Sequence, residues 1–287
     1  MNGLLVINKE KEYTSRDVVN VVSKTLNTKK VGHTGTLDPL ATGVLVIAVG
    51  NALKVVDLLT SDTKEYMATV KLGIETDTLD VTGNILKAND QYSITENKIK
   101  EVLLSFLGKS IQEVPLYSAI RVNGKRLYEY AREKIEVELP KREIEIFDIE
   151  FISLEKNEFI FRVLVSKGTY IRSLIRDIGK KLEIPCSMKE LQRTKQGIFK
   201  IEDSVSLNDI EDGNYKLVPI VEVLKDFEII KVDTFLANKI QNGRILDNRY
   251  NNEKVVFIDK ENNVLAIYKI YDKDPTKIKP VKVLKNN

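Results

Sequence analysis

Residues 31–43 read VGHTGTLDPLATG, with three glycines and one proline in thirteen positions and neither the 3.6-residue period of a helix nor the two-residue period of a strand. The segment therefore has to be an ordered loop. It leads into the apolar run Val44, Leu45, Val46, Ile47, Ala48, Val49, which predicts a buried strand, so the loop is tied to the core at its end. Asp38 precedes Pro39 in this loop, and proline fixes its own φ and restricts the residue before it. A carboxylate so placed is held in one orientation. That suits a nucleophile or general base, and it suits a simple turn cap as well. His33, the one histidine of the chain, sits between Gly32 and Gly35, where a base, a wedge, a phosphate contact and a hydrogen-bonded loop residue are all open readings.

Around the loop the pattern alternates irregularly. A strand is predicted over 4–7 and a helix over 16–26, capped by Thr14 or Ser15, with Val18, Val19, Val22 and Leu26 inward. Asn51 is expected to cap a helix running through Leu59. Residues 64–72 alternate as a strand with Tyr66, Ala68, Val70 and Leu72 on one face. A helix over 95–107 is closed by Gly108, and a strand over 117–122 precedes a short helix over 126–133. Residues 143–154 and 159–165 read as paired strands, and Thr169 can cap a helix over 170–182 that Gly179 and Pro185 help to end. Strands with several hairpins and interspersed helices predict an α+β fold with a mixed, mainly antiparallel sheet. A boundary is expected near Ile229, followed by a small β-rich module with a helix over 235–241 and strands over 254–258 and 264–271.

The composition narrows the chemistry. The 287 residues are 43% hydrophobic and 30% charged, the balance of a folded protein of about two domains. Cys186 is the single cysteine, so no intramolecular disulfide forms, and with one histidine there are too few soft ligands for a structural zinc. The longest apolar run is too short to span a bilayer and the N-terminus does not read as a signal peptide, so a cytosolic location is expected. No phosphate-binding G-x-x-x-x-G-K-[ST], no G-x-G-x-x-G after a strand and no H-E-x-x-H is present. Formal charge is +3, yet between Lys167 and Lys200 nine basic residues oppose three acidic ones, while 202–228 carries eight acids against two lysines. Either the basic run is a surface for a polyanion or it is a solvated helix face. If it is solvated, Arg121, Lys125 and Arg126 are the next cations to consider. Tyr66, Tyr170 and Arg172 are candidates for a base-stacking pair and a cleft cation, against the plainer readings of core tyrosines and a surface ion pair.

The string GHTGTLDPLATGVL at 32–45 closely resembles the catalytic loop of the TruB-type tRNA pseudouridine synthases. Further blocks agree in order: KEYMATVKLGIETDTLDVTG, VPLYSAIRVNGKRLYEYAR, SKGTYIRSLIRDIGKKL and LQRTKQGIF. The resemblance implies a catalytic domain over 1–228 with a thumb-like insertion at about 114–142, and a reduced PUA-like RNA-binding module over 229–287. It implies that Asp38 is the catalytic aspartate, that Tyr66 stacks on the target uracil, that Arg172 pairs with Asp38, that Tyr170 and Leu191 line the pocket, and that His33 helps hold the T loop with its base flipped out. The implied activity is isomerisation of uridine-55 in the T loop of tRNA by a monomer that uses no metal, cofactor or guide RNA. The family pattern has an arginine where this chain has Gln192, and a glycine where it has Glu133-Lys134.

Overall fold

The computed structural model describes residues 1–59 and 63–284. In chain order the elements are β1 (Gly3–Lys9), α1 (Ser15–Thr25), β2 (Val31–His33), β3 (Thr42–Val49), α2 (Val56–Leu59), β4 (Lys64–Leu72), β5 (Ile74–Thr76), β6 (Ile85–Ala88), α3 (Glu96–Leu104), β7 (Gly108–Glu113), β8 (Arg121–Val122), β9 (Lys125–Arg126), α4 (Leu127–Glu133), β10 (Lys141–Glu155), β11 (Glu158–Val165), α5 (Ile171–Leu182), β12 (Cys186–Gln196) and β13 (Phe199–Lys200). They are followed by α6 (Leu207–Glu211), β14 (Glu228–Lys231), α7 (Thr234–Gln241), β15 (Leu246–Asp247), β16 (Lys254–Ile258), β17 (Val264–Tyr271) and β18 (Asp274–Val283). The main sheet has nine strands, in the order β1-β3-β12-β4-β11-β10-β7, with β2 beside β3 and β13 beside β12. Its pairs are antiparallel except β12 with β3, which meet in parallel at Gln192–Thr42 and Arg193–Gly43. This is the mixed, mainly antiparallel α+β sheet that the sequence predicts.

Period-two alternation explains how the sheet is covered. On β4, Tyr66, Ala68, Val70 and Leu72 are all buried in one cluster with the inward residues of α1, α3 and α5, whereas the alternate positions are half-exposed. β1 and β3 have apolar residues on both faces: Leu5, Ile7, Leu45 and Ile47 join that cluster, and Leu4, Val6, Val44 and Val46 join a second. The second cluster is completed by Val256, Ile258, Val264 and Ile267 of the C-terminal strands and by Leu284 just after them. A strand buried on both sides must be apolar throughout, which accounts for the run after the Gly-rich loop. The C-terminal sheet, ordered β14-β16-β17-β18-β15, repeats the logic: Val256 and Ile258 face the second cluster while Val255 and Phe257 pack with Ile240 of α7.

Several local expectations are corrected. Val31–His33 is a strand paired with β3, so the irregular loop is shorter than its composition suggests. The helix expected from 51 is a 3-10 turn over Gly50–Val55 followed by α2, and Val49 is its N-cap, not Asn51. α3 stops at Leu104, with Ser105 as its C-cap. Of the strand expected over 117–122 only Arg121–Val122 pairs, with Lys125–Arg126. Thr169 does not cap α5: its hydroxyl donates to the Ser166 carbonyl at 3.0 Å, and Tyr170 is the N-cap. Gly179 lies inside α5, where a Cβ would meet the Ile184 carbonyl at 2.8 Å, so it permits close packing and does not end the helix. By contrast, Thr14 caps α1 with a reciprocal bond to Asp17, as a Thr-x-x-Asp spacing allows.

Candidate active site

The loop between β2 and β3 is fastened along its length by buried side chains. Ser15, one residue into α1, accepts from Leu37 N–H at 2.9 Å and donates to the Leu37 carbonyl at 3.2 Å. Lys9 at the end of β1 donates to the carbonyls of Glu10, Tyr13 and Pro39 at 2.8, 2.7 and 3.3 Å. Burial pushes the Lys9 ammonium down to about 8, opposed by the charge of Asp38. From β12, Arg193 donates to the Val44 carbonyl at 2.6 Å and the Gly35 carbonyl at 3.0 Å, and Gln196 donates to the Thr34 hydroxyl at 2.6 Å. The loop approaches β12 closely because Gly43, at φ +96°, has no Cβ to strike the Arg193 carbonyl, which would lie 2.3 Å away. Asp38 is thus carried by a segment with little freedom to move.

α5 supplies the partner. Arg172, in its first turn, donates Nε to Asp38 Oδ2 at 2.8 Å, Nη1 to the Thr78 carbonyl at 3.0 Å and Nη2 to the Tyr117 carbonyl at 3.0 Å. The arginine side chain is 6% exposed and the aspartate 35%, so the cation is enclosed and the carboxylate reaches solvent. Arginine's planar fork suits this task, with one edge on a carboxylate and the rest on carbonyls. Among the described residues no donor binds the other carboxylate oxygen, Oδ1. Asp38 opens into a cleft of about 440 Å³, bordered by Tyr66, Ser118, Tyr170, Arg172 and Leu191. Tyr66 on β4 and Leu191 on β12 are diagonal neighbours on one sheet face, since Leu191 is opposite Ala68.

Tyr170 is set by an element that the sequence did not single out. Gln112 on β7, buried, accepts from Tyr170 N–H at 2.8 Å and donates to its carbonyl at 3.1 Å, fixing the start of α5. Burial raises the Tyr170 phenol above its ordinary pKa, while the Arg142 guanidinium, 5.6 Å from the ring centre, and the Ser118 hydroxyl pull it partly back. The structure thus gathers Asp38, Tyr66, Tyr170, Arg172 and Leu191 around one cleft. His33 is not among its lining residues: on β2 it pairs with Ile47 of β3, with Nδ1 buried and unpartnered among the described residues, and burial then Arg193 and Arg16 lower its pKa. Gln192 points outward between buried Leu191 and Arg193.

Among the described residues, six of the nine cations in the basic run are engaged within the fold. Arg172 and Arg193 are buried, Arg176 pairs with Glu113 and Asp177, Lys180 with Asp177 and Lys189 with Glu158, and the Lys181 ammonium lies 4.2 Å from the Phe106 ring centre. The roles of Lys9, Ser15, Gln112 and Arg193 left no mark in the sequence, because each acts on backbone atoms of segments distant in the chain. Among the described residues no group of three or more His, Cys, Asp or Glu is placed to hold a metal, and no helix is long and apolar enough to cross a membrane.

Comparison with known proteins adds the following. Residues 23–171 match the N-terminal domain of the TruB family pseudouridylate synthases, and 172–228 match the tRNA pseudouridylate synthase B C-terminal domain. A tRNA pseudouridine synthase B of Clostridium tetani is 43% identical over 93% of this chain and 92% of its own length. One from Oceanobacillus iheyensis is 45% identical over 99% and 97%. Among solved structures, an H/ACA ribonucleoprotein bound to a substrate RNA containing 2′-deoxyuridine contains a chain 25% identical to this one, with a TM-score of 0.73 over 99% of this chain and 85% of that one.

Proposed function

The chain belongs to the TruB family of pseudouridylate synthases and isomerises uridine in tRNA to pseudouridine, and on that premise we propose that its target is uridine-55 of the T loop, that Asp38 is the nucleophile and that no cofactor takes part. The observation that carries this reading is the 2.8 Å bond from an enclosed Arg172 to Asp38 at the edge of a base-sized cleft. Arg172 occupies Oδ2 and orients the carboxylate, leaving Oδ1 to attack at C1′ or at C6 of the ring. The C1′–N1 bond breaks, the uracil turns within the cleft, C5 bonds to C1′, the bond from Asp38 Oδ1 to C1′ or C6 breaks again and restores the carboxylate, the C5 proton leaves and N1 takes a proton. Atoms and electrons balance without an oxidant, a reductant or an activated group. A target base stacked in a folded T loop must be flipped out to reach Asp38, and Tyr66 and Leu191 then cover its faces.

Residues 1–228 act as the catalytic unit, and 114–142 as a thumb that closes on the T stem-loop. Residues 229–287 form a small PUA-like module, a division supported by β14, which starts at Glu228 and belongs to the C-terminal sheet. The thumb offers Arg121, Arg126 and Arg132 to the RNA, exposed and without a carboxylate at ion-pair distance among the described residues. His33, just outside the cleft, holds the T loop with the base out. The protein works in the cytosol as a monomer without guide RNA, in keeping with end-to-end similarity to proteins named for tRNA. The test is to map pseudouridine by mass spectrometry over an unmodified tRNA transcript incubated with the pure protein and EDTA. Product at position 55 alone is expected. Product elsewhere, or loss of activity in EDTA, contradicts the reading.

A further inference from the structure

One polar side chain in the cleft has no part in the machinery described so far. Ser118 is 7% exposed and borders the cleft, and its Oγ is buried without a hydrogen-bond partner among the described residues. The Tyr170 phenol is its polar neighbour, near enough for the hydroxyl to ease phenol ionisation, yet no bond within hydrogen-bonding geometry joins the two. The backbone around it is tied on both sides. Ser118 N–H donates to the Leu116 carbonyl at 3.0 Å, its carbonyl accepts from Tyr128 N–H at 3.2 Å, and the preceding carbonyl, of Tyr117, accepts from Arg172 at 3.0 Å. The residue is therefore held in the wall of the cleft by backbone bonds that leave its hydroxyl unused. A buried hydroxyl left bare is uncommon, because nothing offsets the water it has lost.

A flipped-out uracil has the opposite deficit. Its faces are covered by apolar and aromatic groups, while O2, N3–H and O4 on its edge have left water and need partners. Asp38 and Arg172 are engaged with each other. A hydroxyl can donate to either carbonyl or accept from N3–H. We propose that Ser118 Oγ hydrogen-bonds the polar edge of the flipped uracil and is a specificity contact for the base, a proposal that rests on reading the cleft as the uracil site. A site that offers a buried polar group to the substrate discriminates against analogues that cannot pair with it.

The experiment compares wild type, Ser118→Ala and Ser118→Thr on T-arm stem-loops with uridine, 2-thiouridine, 4-thiouridine or 3-deazauridine at the target position. An analogue that is not turned over is read by its inhibition of the uridine stem-loop. Ser118→Ala should lower kcat/KM on uridine by about 10- to 100-fold, the worth of one buried hydrogen bond, while stem-loop affinity stays within about threefold, most of it coming from contacts outside the cleft. Its penalty should shrink on the one analogue altered at the contacted atom. Ser118→Thr should recover most of the activity. The thermal midpoint of Ser118→Ala should be unchanged or raised, since an unpaired hydroxyl is removed. Full activity of Ser118→Ala, an equal penalty on all four stem-loops, or a clearly lowered midpoint overturns the proposal. If wild type itself leaves the uridine stem-loop unchanged, the proposed function falls together with this contact. An active wild type with an indifferent Ser118→Ala overturns the contact alone.

Discussion

The segment 167–200 and the thumb both carry many cations, but the two regions use them in opposite ways. In the first, Arg172 is bound to Asp38, Arg193 to the carbonyls of Val44 and Gly35, and Arg176, Lys180 and Lys189 to neighbouring carboxylates. In the thumb, Arg126 and Arg132 flank the Tyr128 ring at 5.8 and 5.3 Å from its centre and face solvent. The difference lies in the surroundings. Segment 167–200 builds α5 and β12, which pack against the sheet and the Gly-rich loop, so six of its nine cations find partners within the fold, among the described residues. The thumb has little core of its own, with Leu127 as the one buried residue of α4, so Arg121, Arg126 and Arg132 stay available to a phosphate backbone, whereas Lys125 is paired with Glu133.

Removing cations one by one would sharpen or break this contrast. The largest effect is expected from Arg172→Ala, which takes away the group that orients Asp38: the saturating single-turnover rate on a T-arm stem-loop should fall by about 10²- to 10³-fold, as for other preorganised charge partners. Stem-loop affinity should change little. A variant that loses affinity and keeps its rate would move Arg172 into the RNA-binding set. Next comes Arg193→Met, which strips the buried Val44 carbonyl and the partly buried Gly35 carbonyl of their donor and should cost about 2–4 kcal/mol in a urea titration. Retained stability with weakened RNA binding would show that Arg193 belongs to the RNA surface.

Smaller effects are expected in the thumb. Arg126→Ala and Arg132→Ala should each lower the slope of log affinity against log salt by about 0.7–0.9, one phosphate contact's worth, with the saturating rate unchanged. Unaltered slopes would remove the thumb from the interface. The smallest expected effect is that of Lys189→Ala. This residue is paired with Glu158 at 2.7 Å on a partly exposed face, so the slope should stay as it is and stability should fall by less than about 1 kcal/mol. A slope lowered as in the thumb variants would erase the contrast between the two regions.

These regions also show what a sequence discloses. Period-two alternation was legible on β4, and the run at 44–49 announced a buried strand, because a face pattern is a local property of the chain. The basic run was legible as charge, but its fate was not, since the acceptors of Arg193 lie about 150 residues earlier in the chain. Ser15 was legible only as a helix cap, and Lys9 carried no signal at all. Only the closure of α1 and β1 onto the loop turns them into its anchors. Likewise, 117–122 carries strand-like residues, yet it pairs only at its end. Its Tyr117 carbonyl is taken by Arg172 and its Ser118 carbonyl by α4. The resemblance to the TruB-type synthases brought Asp38, Tyr66, Tyr170, Arg172 and Leu191 to attention together, and the fold places them around one cleft. The second layer that holds them had no comparable signal.

The central claim is that the Asp38 carboxylate, fixed by its loop and by Arg172, is the group that attacks the target nucleotide. Its most direct measurement is a single-turnover assay of Asp38→Asn at saturating enzyme on a T-arm stem-loop, read by quantitative mass spectrometry, with stem-loop affinity measured in parallel. No detectable pseudouridine is expected, with an affinity within about tenfold of wild type, because the amide keeps the side chain's shape but is not a nucleophile. Appreciable conversion by Asp38→Asn, with affinity intact, would contradict it.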